Sequence, residues 1–550
     1  MNQKTIIVIG GLSAGPSAAA KARRVNENAR ILLFEKGNEI SYATCGMPYA
    51  LSGKIKTTEK LLVVKPELLE KRFNIEMHLN EEVVAVNPRE KTIKTIQGTY
   101  QYDKLVMATG AKAVLPPIRN IEVAENWAFM RTMSDFRRVI DSSGFINASH
   151  VSIIGGGLIG IEVAENLKKA GKRVTIIEAG EQVLPQFSHF FANVGHHTLS
   201  SHNVDIRTST IIESVELIGN NEIKSLITKP GSKIQTDFVI VSAGIRPNTA
   251  LLQDYKPKML KNGALIVNDK METSIPDIYA AGDCASTFNS LTGEPDYLPL
   301  GTHSNKAGRT AGANAAGGEE TYQGGYGTAI IQIFEQNLAR TGLSKHQLKS
   351  KEIAFEKTLI YAPATPGYYP DSKNLVLEIT YDRNNQKILA AEVAGEKGVD
   401  KRIDVLSTAI YAGLKIEDLA NLDLAYAPPF SPAKDPVVVA GFVAGNQVKH
   451  QCSPLTAADL RLQLIEDHQV QVVDLRSNKE IQKEGKIDGS VNIEIDVLRE
   501  RLNELDMNKP VILYCAKGMR GYLGALILKQ NGFTNVKNLA GGYTAWKEAA

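Results

Sequence analysis

The chain repeats one local design. Thr5 to Ile9 reads as a buried parallel strand, an apolar run that stops at Gly10-Gly11-Leu12-Ser13-Ala14-Gly15 and gives way to an alanine-rich helix. The next strand, Ala29 to Phe34, ends at Glu35, about twenty residues beyond the last glycine. Downstream, Val151-Ser-Ile-Ile-Gly155-Gly-Gly157-Leu158-Ile159-Gly160 opens the same series, and Arg173 to Ile177 ends at Glu178. The glycines permit a tight turn, close approach of a pyrophosphate and helix packing, while the carboxylate binds a ribose hydroxyl. Leu12 stands in place of the middle glycine of the first copy; the second is a full match. Two such units commit the chain to an α/β fold with two dinucleotide sites. Glu178 would repel a 2′-phosphate, which favours NADH, although Lys172 and Arg173 close by keep NADPH open.

Three further segments, Leu105 to Ala111, Val239 to Ile245 and Ile278 to Asp283, read as strands ending in small-residue turns. In the last, Asp283 is placed to accept from a ribityl or ribose hydroxyl. With 550 residues, the chain exceeds what one core supports, so three or four domains are expected. A formal charge of +3 is near neutral for this size and argues against a general nucleic-acid or membrane partner. Cysteines at 45, 284, 452 and 515 show no metal-ligand spacing, so no metal is expected, and their scatter suits a reducing cytoplasm. The first strand begins almost at once, without a signal peptide, and no apolar run reaches the roughly twenty residues of a span. A soluble cytoplasmic protein is the expectation.

Ser41-Tyr-Ala-Thr44-Cys45-Gly-Met-Pro48 places a cysteine just before a predicted helix that tolerates Pro48 in its first turn. A helix start favours the thiolate. No second cysteine lies within the next dozen residues, so a local redox pair is excluded. Taken alone, Cys45 also reads as a small buried residue in a βα corner.

Together these residues resemble the flavoprotein disulfide reductases with two dinucleotide-binding domains. The resemblance rests on the loop at 10–15 with Glu35, the Ala108-Thr109-Gly110 turn, the loop at 155–160, and Ala281-Gly282-Asp283. It implies FAD in the first unit, with contacts from Gly10, Gly11, Ser13, Ala14, Gly15, Glu35, Lys36, Val83, Ala108, Thr109, Gly110, Arg131, Gly282 and Asp283. It implies NADH or NADPH in the second, with Gly155, Gly157, Leu158, Ile159, Gly160, Glu178 and Gly244. A lone Cys45 departs from the two-cysteine members and is similar to the single-cysteine group of NADH oxidases, peroxidases and coenzyme A disulfide reductases. The oxidase–peroxidase members carry a histidine in the first loop; here Ser13 stands there, and residues 1–77 contain no histidine. The next helix instead carries Lys21, Arg23 and Arg24, which read either as a solvated face or as a site for coenzyme A phosphates. By resemblance the coenzyme A contacts are Ser17, Lys21, Arg24, Ser41, Thr44, Asn305 and Lys434, with Lys21 and Thr44 replacing the more usual Gln and Asn.

Residues 324–445 resemble the family's dimerisation domain, which implies a homodimer in which Tyr368 and Tyr426 reach the partner's active site as proton donors. A polar stretch, 446–454, reads as a linker, and its Cys452 as an exposed thiol without assigned chemistry. The last segment, 455–550, resembles a single-domain rhodanese through Asp474-Leu-Arg476, Gly489-Ser-Val-Asn492, Cys515-Ala-Lys517-Gly518-Met-Arg520 and Leu539-Ala-Gly541-Gly. A cysteine centred in a loop of backbone N–H groups suits a thiolate and then a persulfide. Lys486 and Asp488 replace the usual His and Pro of that family. The implied domains are FAD-binding, 1–112 and 245–323; NAD(P)H-binding, 113–244; dimerisation; linker; and rhodanese. The fusion implies an NADH-dependent reductase of coenzyme A persulfides, polysulfides or disulfides that uses FAD and small sulfane-sulfur substrates. An NADH oxidase or peroxidase, and a non-catalytic redox sensor that docks through its rhodanese, stand as alternatives.

Overall fold

The computed structural model describes residues 3–449, 454–466 and 469–548. These form two compact units, Met1–Leu184 with Ser200–Gly327, and Pro185–Leu199 with Thr328–Ala550.

The first unit holds two parallel sheets of five strands each. One runs in the order Ile278–Ala280, Lys104–Met107, Thr5–Ile9, Arg30–Glu35, Glu76–Leu79. Its central strands are apolar and buried (Ile6, Ile7, Val8, Leu32 and Leu33) because the sheet is the middle of a core shared with helices and with Val83, Val86 and Ile93 of a small antiparallel sheet. Helix α1 (Ala14–Val25) leaves the first glycine loop, and short helices α2 (Met47–Leu51) and α3 (Pro66–Phe73) precede the fifth strand. The second sheet runs Asp205–Arg207, Arg173–Ile177, His150–Ile154, Phe238–Val241, Trp127–Phe129, with α4 (Leu158–Lys169) leaving its own glycine loop. The chain then returns to the first sheet, and α5 (Gly301–Ala315) lies on α1. The approach is backbone to backbone: a Cβ at Gly308 or Gly312 would overlap the main chain of Ala14 or Ala18. That packing holds the start of α1, and so the first glycine loop, in place.

In the second unit, an antiparallel sheet runs Ala329–Ile333, Gln336–Gly342, Ile388–Gly395, Asn374–Asp382, Phe355–Pro363. It packs against α6 (Val399–Tyr411) and α7 (Pro436–Lys449). The polar stretch expected to be linker from residue 446 begins as the last turn of α7, where Gln447 accepts from the Thr358 hydroxyl. Cys452 lies outside the described residues. A separate parallel sheet follows, in the order Pro454–Leu455, Val536–Leu539, Val511–Tyr514, Gln471–Asp474, Val491–Asn492. Helices α8 (Asn478–Glu484) and α9 (Met519–Gln530) flank it. Within this unit the last domain rests on the antiparallel sheet. Tyr361 donates to Glu548 Oε2, and its ring fills the space a side chain at Gly541 would need.

Candidate functional site

The two glycine loops share one electrostatic design. Glu35 accepts from the Gly11 N–H (2.7 Å) and the Gly37 N–H (2.9 Å). Glu178 accepts from Gly156 (2.7 Å) and Gly180 (2.7 Å). Each carboxylate is fixed at the end of its strand beside the helix start, with acceptor capacity left for a ribose hydroxyl. Gly10 and Gly155 adopt φ of +111° and +116°, and a Cβ there would overlap the carbonyl of Ala108 or Ser242. Nothing lies within 4 Å of the side-chain position at Gly157, which leaves room for a pyrophosphate at the start of α4. These donor sets, with the open cradle at Gly157, fit one dinucleotide at each loop, a flavin one at the first and a nicotinamide one at the second.

The other expected cofactor residues gather around the first loop. Asp283 pairs with Arg131 and accepts from Ser304, and Thr109 donates to the Asn248 carbonyl (2.6 Å). Ala108 and Val83 are buried, whereas Lys36 is exposed. Cys284 is sealed in the core against the Met107 and Ala281 carbonyls, and burial pushes its thiol up. It is not placed to exchange with a disulfide. Lys172 donates to the Phe145 and Ala148 carbonyls, and Arg173 to His150. Both stand at the start of the strand that ends beside Glu178, about 17 Å away at the usual rise per residue.

Cys45 is exposed, in a 3-10 turn (Thr44–Gly46) that runs straight into α2. The segment before it is pinned from both sides. Ser41, at φ +47°, donates its N–H to the Gly11 carbonyl (2.9 Å), and Ala43 and Val63 complete a short ladder (Ala43 N–H to Leu61, 2.7 Å; Val63 N–H to Ser41, 2.8 Å). Helix α2 then leans on α4 through Ser52 to Asn166 (2.7 Å) and Tyr49 to Glu162 (3.3 Å). The cysteine is therefore braced by the helix of the second dinucleotide loop.

Sequence reasoning missed Tyr49 and Glu162. The only local signal was that Glu162 sits two residues past Gly160 on the same helix. Burial first, then the neighbouring Glu165, lifts the Glu162 carboxyl from about 4.5 to about 7, against the hydrogen bond from Tyr49. Tyr49 is itself pushed up to about 12, by burial and then by the two glutamates. Because Glu162 holds its proton more tightly folded than unfolded, the folded state carries the extra proton between about pH 4.5 and 7. Stability should fall as pH rises through that window. Relative to Glu162→Gln, the native chain is expected to lose up to ~3 kcal/mol between pH 5 and 8. Urea unfolding of the two proteins at both pH values checks this, and parallel curves would show that Glu162 takes up no extra proton on folding.

Ser17, Lys21 and Arg24 fall at i, i+4 and i+7 on one face of α1. Lys21 pairs with Glu320 (2.5 Å), and the Arg24 guanidinium lies over the Phe73 ring (5.4 Å). Arg23 turns inward instead and donates to the carbonyls of Phe73, Asn74 and Ala29, so it fastens α1 to α3. Beside the Cys45 ladder, α3 contributes to a groove of about 430 Å³ lined by Val63, Lys65, Glu67, Leu68, Lys71 and Arg72, three cations against one carboxylate. These cations were not singled out from the sequence. Asn305 is exposed on α5.

In the second unit, Tyr368 (75% exposed) and Tyr426 (52%) are neighbours, and the Tyr426 hydroxyl raises Tyr368 above its ordinary value. Lys434 is exposed nearby in sequence. Cys515 is 2% exposed, and its Sγ accepts from the Gly518 N–H (3.1 Å) just before α9 begins. Lys517 points into solvent, and Arg520 is charge-coupled to Cys515. Asp474 and Arg476, both 0% exposed, bond each other in a bidentate pair, and the guanidinium stacks on Tyr543 (4.1 Å). They are the floor of the domain rather than a surface of the loop.

The family model for pyridine nucleotide-disulphide oxidoreductases matches residues 4–311, more than half of the chain. The chain belongs to that family. Models for its dimerisation domain and for rhodanese-like domains match residues 328–436 and 456–549 of this oxidoreductase. A Pyrococcus abyssi protein named NAD(P)H sulfur oxidoreductase (CoA-dependent) is 33% identical over 80% of the oxidoreductase and 97% of its own length. The crystal structure of reduced Bacillus anthracis CoADR-RHD superposes with a TM-score of 0.95 at 34% identity, covering 100% of this chain and 98% of that one. A NAD-dependent persulfide reductase from A. fulgidus gives a TM-score of 0.90 at 33% identity, over 98% and 100%. The oxidoreductase is a mixed α/β chain with a C-terminal rhodanese-like domain. Among the described residues, none of its helices is long and apolar enough to cross a membrane.

Proposed function

We propose that this oxidoreductase is an NADH-dependent reductase of coenzyme A persulfides, polysulfides or disulfides. The observation that carries the proposal is Cys45: exposed, in no disulfide among the described residues, and braced by the helix of the second dinucleotide loop beside a basic groove. Residues 1–112 with 245–323 would hold FAD, 113–244 the nicotinamide, 324–445 the dimer contact, 446–454 the linker and 455–550 the sulfur-carrying domain. FAD, when bound, supplies a two-electron relay between NADH and a thiol–disulfide pair. Glu178 at the strand end, with Lys172 and Arg173 occupied at the opposite end, supports NADH over NADPH.

The Cys45 thiolate attacks the inner sulfur of a coenzyme A persulfide, the sulfur–sulfur bond breaks, and hydrosulfide leaves. The product is a mixed disulfide of Cys45 and coenzyme A. Two electrons and a proton then return the Cys45 thiolate and free coenzyme A. A partner subunit's tyrosine pair, Tyr368 with Tyr426, is suited to donate the proton, and Ser17, Lys21, Arg24, Ser41, Thr44, Asn305 and Lys434 to hold the coenzyme. Lys71 and Arg72 join them, since a diphosphate seeks such cations. Cys515 would receive sulfane sulfur and pass it on. The setting is a homodimer in the cytoplasm.

Replacing Lys71 and Arg72 together by alanine is expected to raise KM for coenzyme A persulfide about tenfold, roughly 1.4 kcal/mol of lost binding, with a small polysulfide unaffected. NADH-driven hydrosulfide release reads both. An unchanged KM would take the groove out of the coenzyme site, and sustained oxygen turnover without any sulfur substrate would favour an oxidase.

A further inference from the structure

The Cys515 loop carries a charge arrangement that its motif does not announce. Arg520, the sixth residue of the loop, directs both guanidinium nitrogens at Glu480 of α8 (2.8 and 2.5 Å). Glu480 is fixed in turn by the Ser477 N–H (2.9 Å) and Ser477 hydroxyl (3.0 Å), which close the start of α8. A bidentate pair held by a helix cap is pre-organised, so it does not spend rotamer freedom to form. The Arg520 hydrogen bond, above all, pulls the Glu480 carboxyl down to about 2, and it stays charged throughout the working range.

The consequence falls on the donor. Around Cys515 the loop offers one cation already paired with a carboxylate, Arg520, although it also couples to the cysteine, and one exposed in solvent, Lys517. Lys486 is turned to the Ser490 carbonyl (3.1 Å). A dianionic donor such as thiosulfate needs uncompensated positive charge next to the thiolate, because two like charges must approach a third. An organic persulfide brings a single negative charge and loses less.

We propose that Glu480 is a specificity-determining residue of the rhodanese domain: by neutralising Arg520 it turns Cys515 away from dianionic donors and towards organic persulfides. The proposal rests on the reading of Cys515 as a sulfur carrier. With a persulfide, the thiolate attacks the outer sulfur, the donor's sulfur–sulfur bond breaks, and the donor leaves as its thiolate, taking the bond's electron pair. With thiosulfate the same attack releases sulfite. In either case cyanide can then take the outer sulfur as thiocyanate and restore the thiolate.

The test uses the full chain, with thiosulfate or hydroxyethyl persulfide as donor and cyanide as acceptor. Glu480→Gln keeps an oxygen for Ser477 but removes the charge. It is expected to raise the ratio of kcat/KM for thiosulfate to that for the persulfide at least fivefold at low salt, with the gain shrinking as salt is added. A smaller change, or a fall, overturns the proposal. Should that variant not fold, the native protein still decides. Anionic iodoacetate should alkylate Cys515 with no advantage over neutral iodoacetamide beyond that seen with a free thiol, and a tenfold advantage would show an unneutralised Arg520. If Cys515→Ser leaves thiocyanate formation unchanged, the carrier reading itself fails; if only the ratio fails to move, the fault lies with Glu480.

Discussion

Replacing Cys45 by serine should lower NADH-driven reduction of coenzyme A persulfide or disulfide by ~10³-fold or more, since a serine hydroxyl neither attacks sulfur at neutral pH nor stores the electron pair as a disulfide. Flavin binding should be untouched. Cys45 sits exposed in its turn, while the first glycine loop is held from below by α1, α5 and Glu35. The variant should therefore purify yellow, be reduced once by NADH and stop there. Stopped-flow absorbance separates that single reduction from steady turnover. Hydrosulfide release at the native rate would move the chemistry to another residue.

A change of comparable size is expected far from any sulfur. Gly155→Ala forces a side chain into φ +116° and into the Ser242 carbonyl, at the turn that aims α4. The second dinucleotide loop should lose its shape while the first, built from separate residues, keeps FAD. The rate of flavin reduction by NADH is expected to fall by ~10²-fold or more, with dithionite still reducing the same flavin at once. The mirror change, Gly10→Ala, strikes the Ala108 carbonyl and should yield protein without flavin. Opposite outcomes for these two glycines would reverse the assignment of the loops.

Much of this was open to reading because it is local. A strand, a glycine turn, a helix and an acid about twenty residues on are set by neighbours along the chain, and both copies fold as their residues suggest. Cys45 and its helix were legible for the same reason. What could not be read was which charges are spent on the protein itself. Arg23 and Arg24 are adjacent, yet one is buried among carbonyls and the other lies over Phe73. Lys21 finds Glu320 at the other end of the first unit's sequence. Tyr49 and Glu162 meet across two helices that no periodicity relates. Asp474 and Arg476 look like loop chemistry in a motif, but burial makes them the floor of their domain, where losing one partner strands a charge at about 3–5 kcal/mol. Helix α7, too, outlasts its apolar pattern, because Gln447 is held by Thr358 of a distant strand.

The proposed mechanism depends on what Cys45 is joined to when it is oxidised. Mass spectrometry of the protein purified in air without added thiol, after digestion under non-reducing acid conditions, addresses that directly. The peptide holding Cys45 is expected to carry one coenzyme A in disulfide linkage, released by a reductant and absent from Cys45→Ser. A Cys45 peptide found only as sulfenic or sulfinic acid would place the protein with oxygen or peroxide chemistry. One joined to another cysteine of the chain would contradict the outward-facing disulfide on which the mechanism depends.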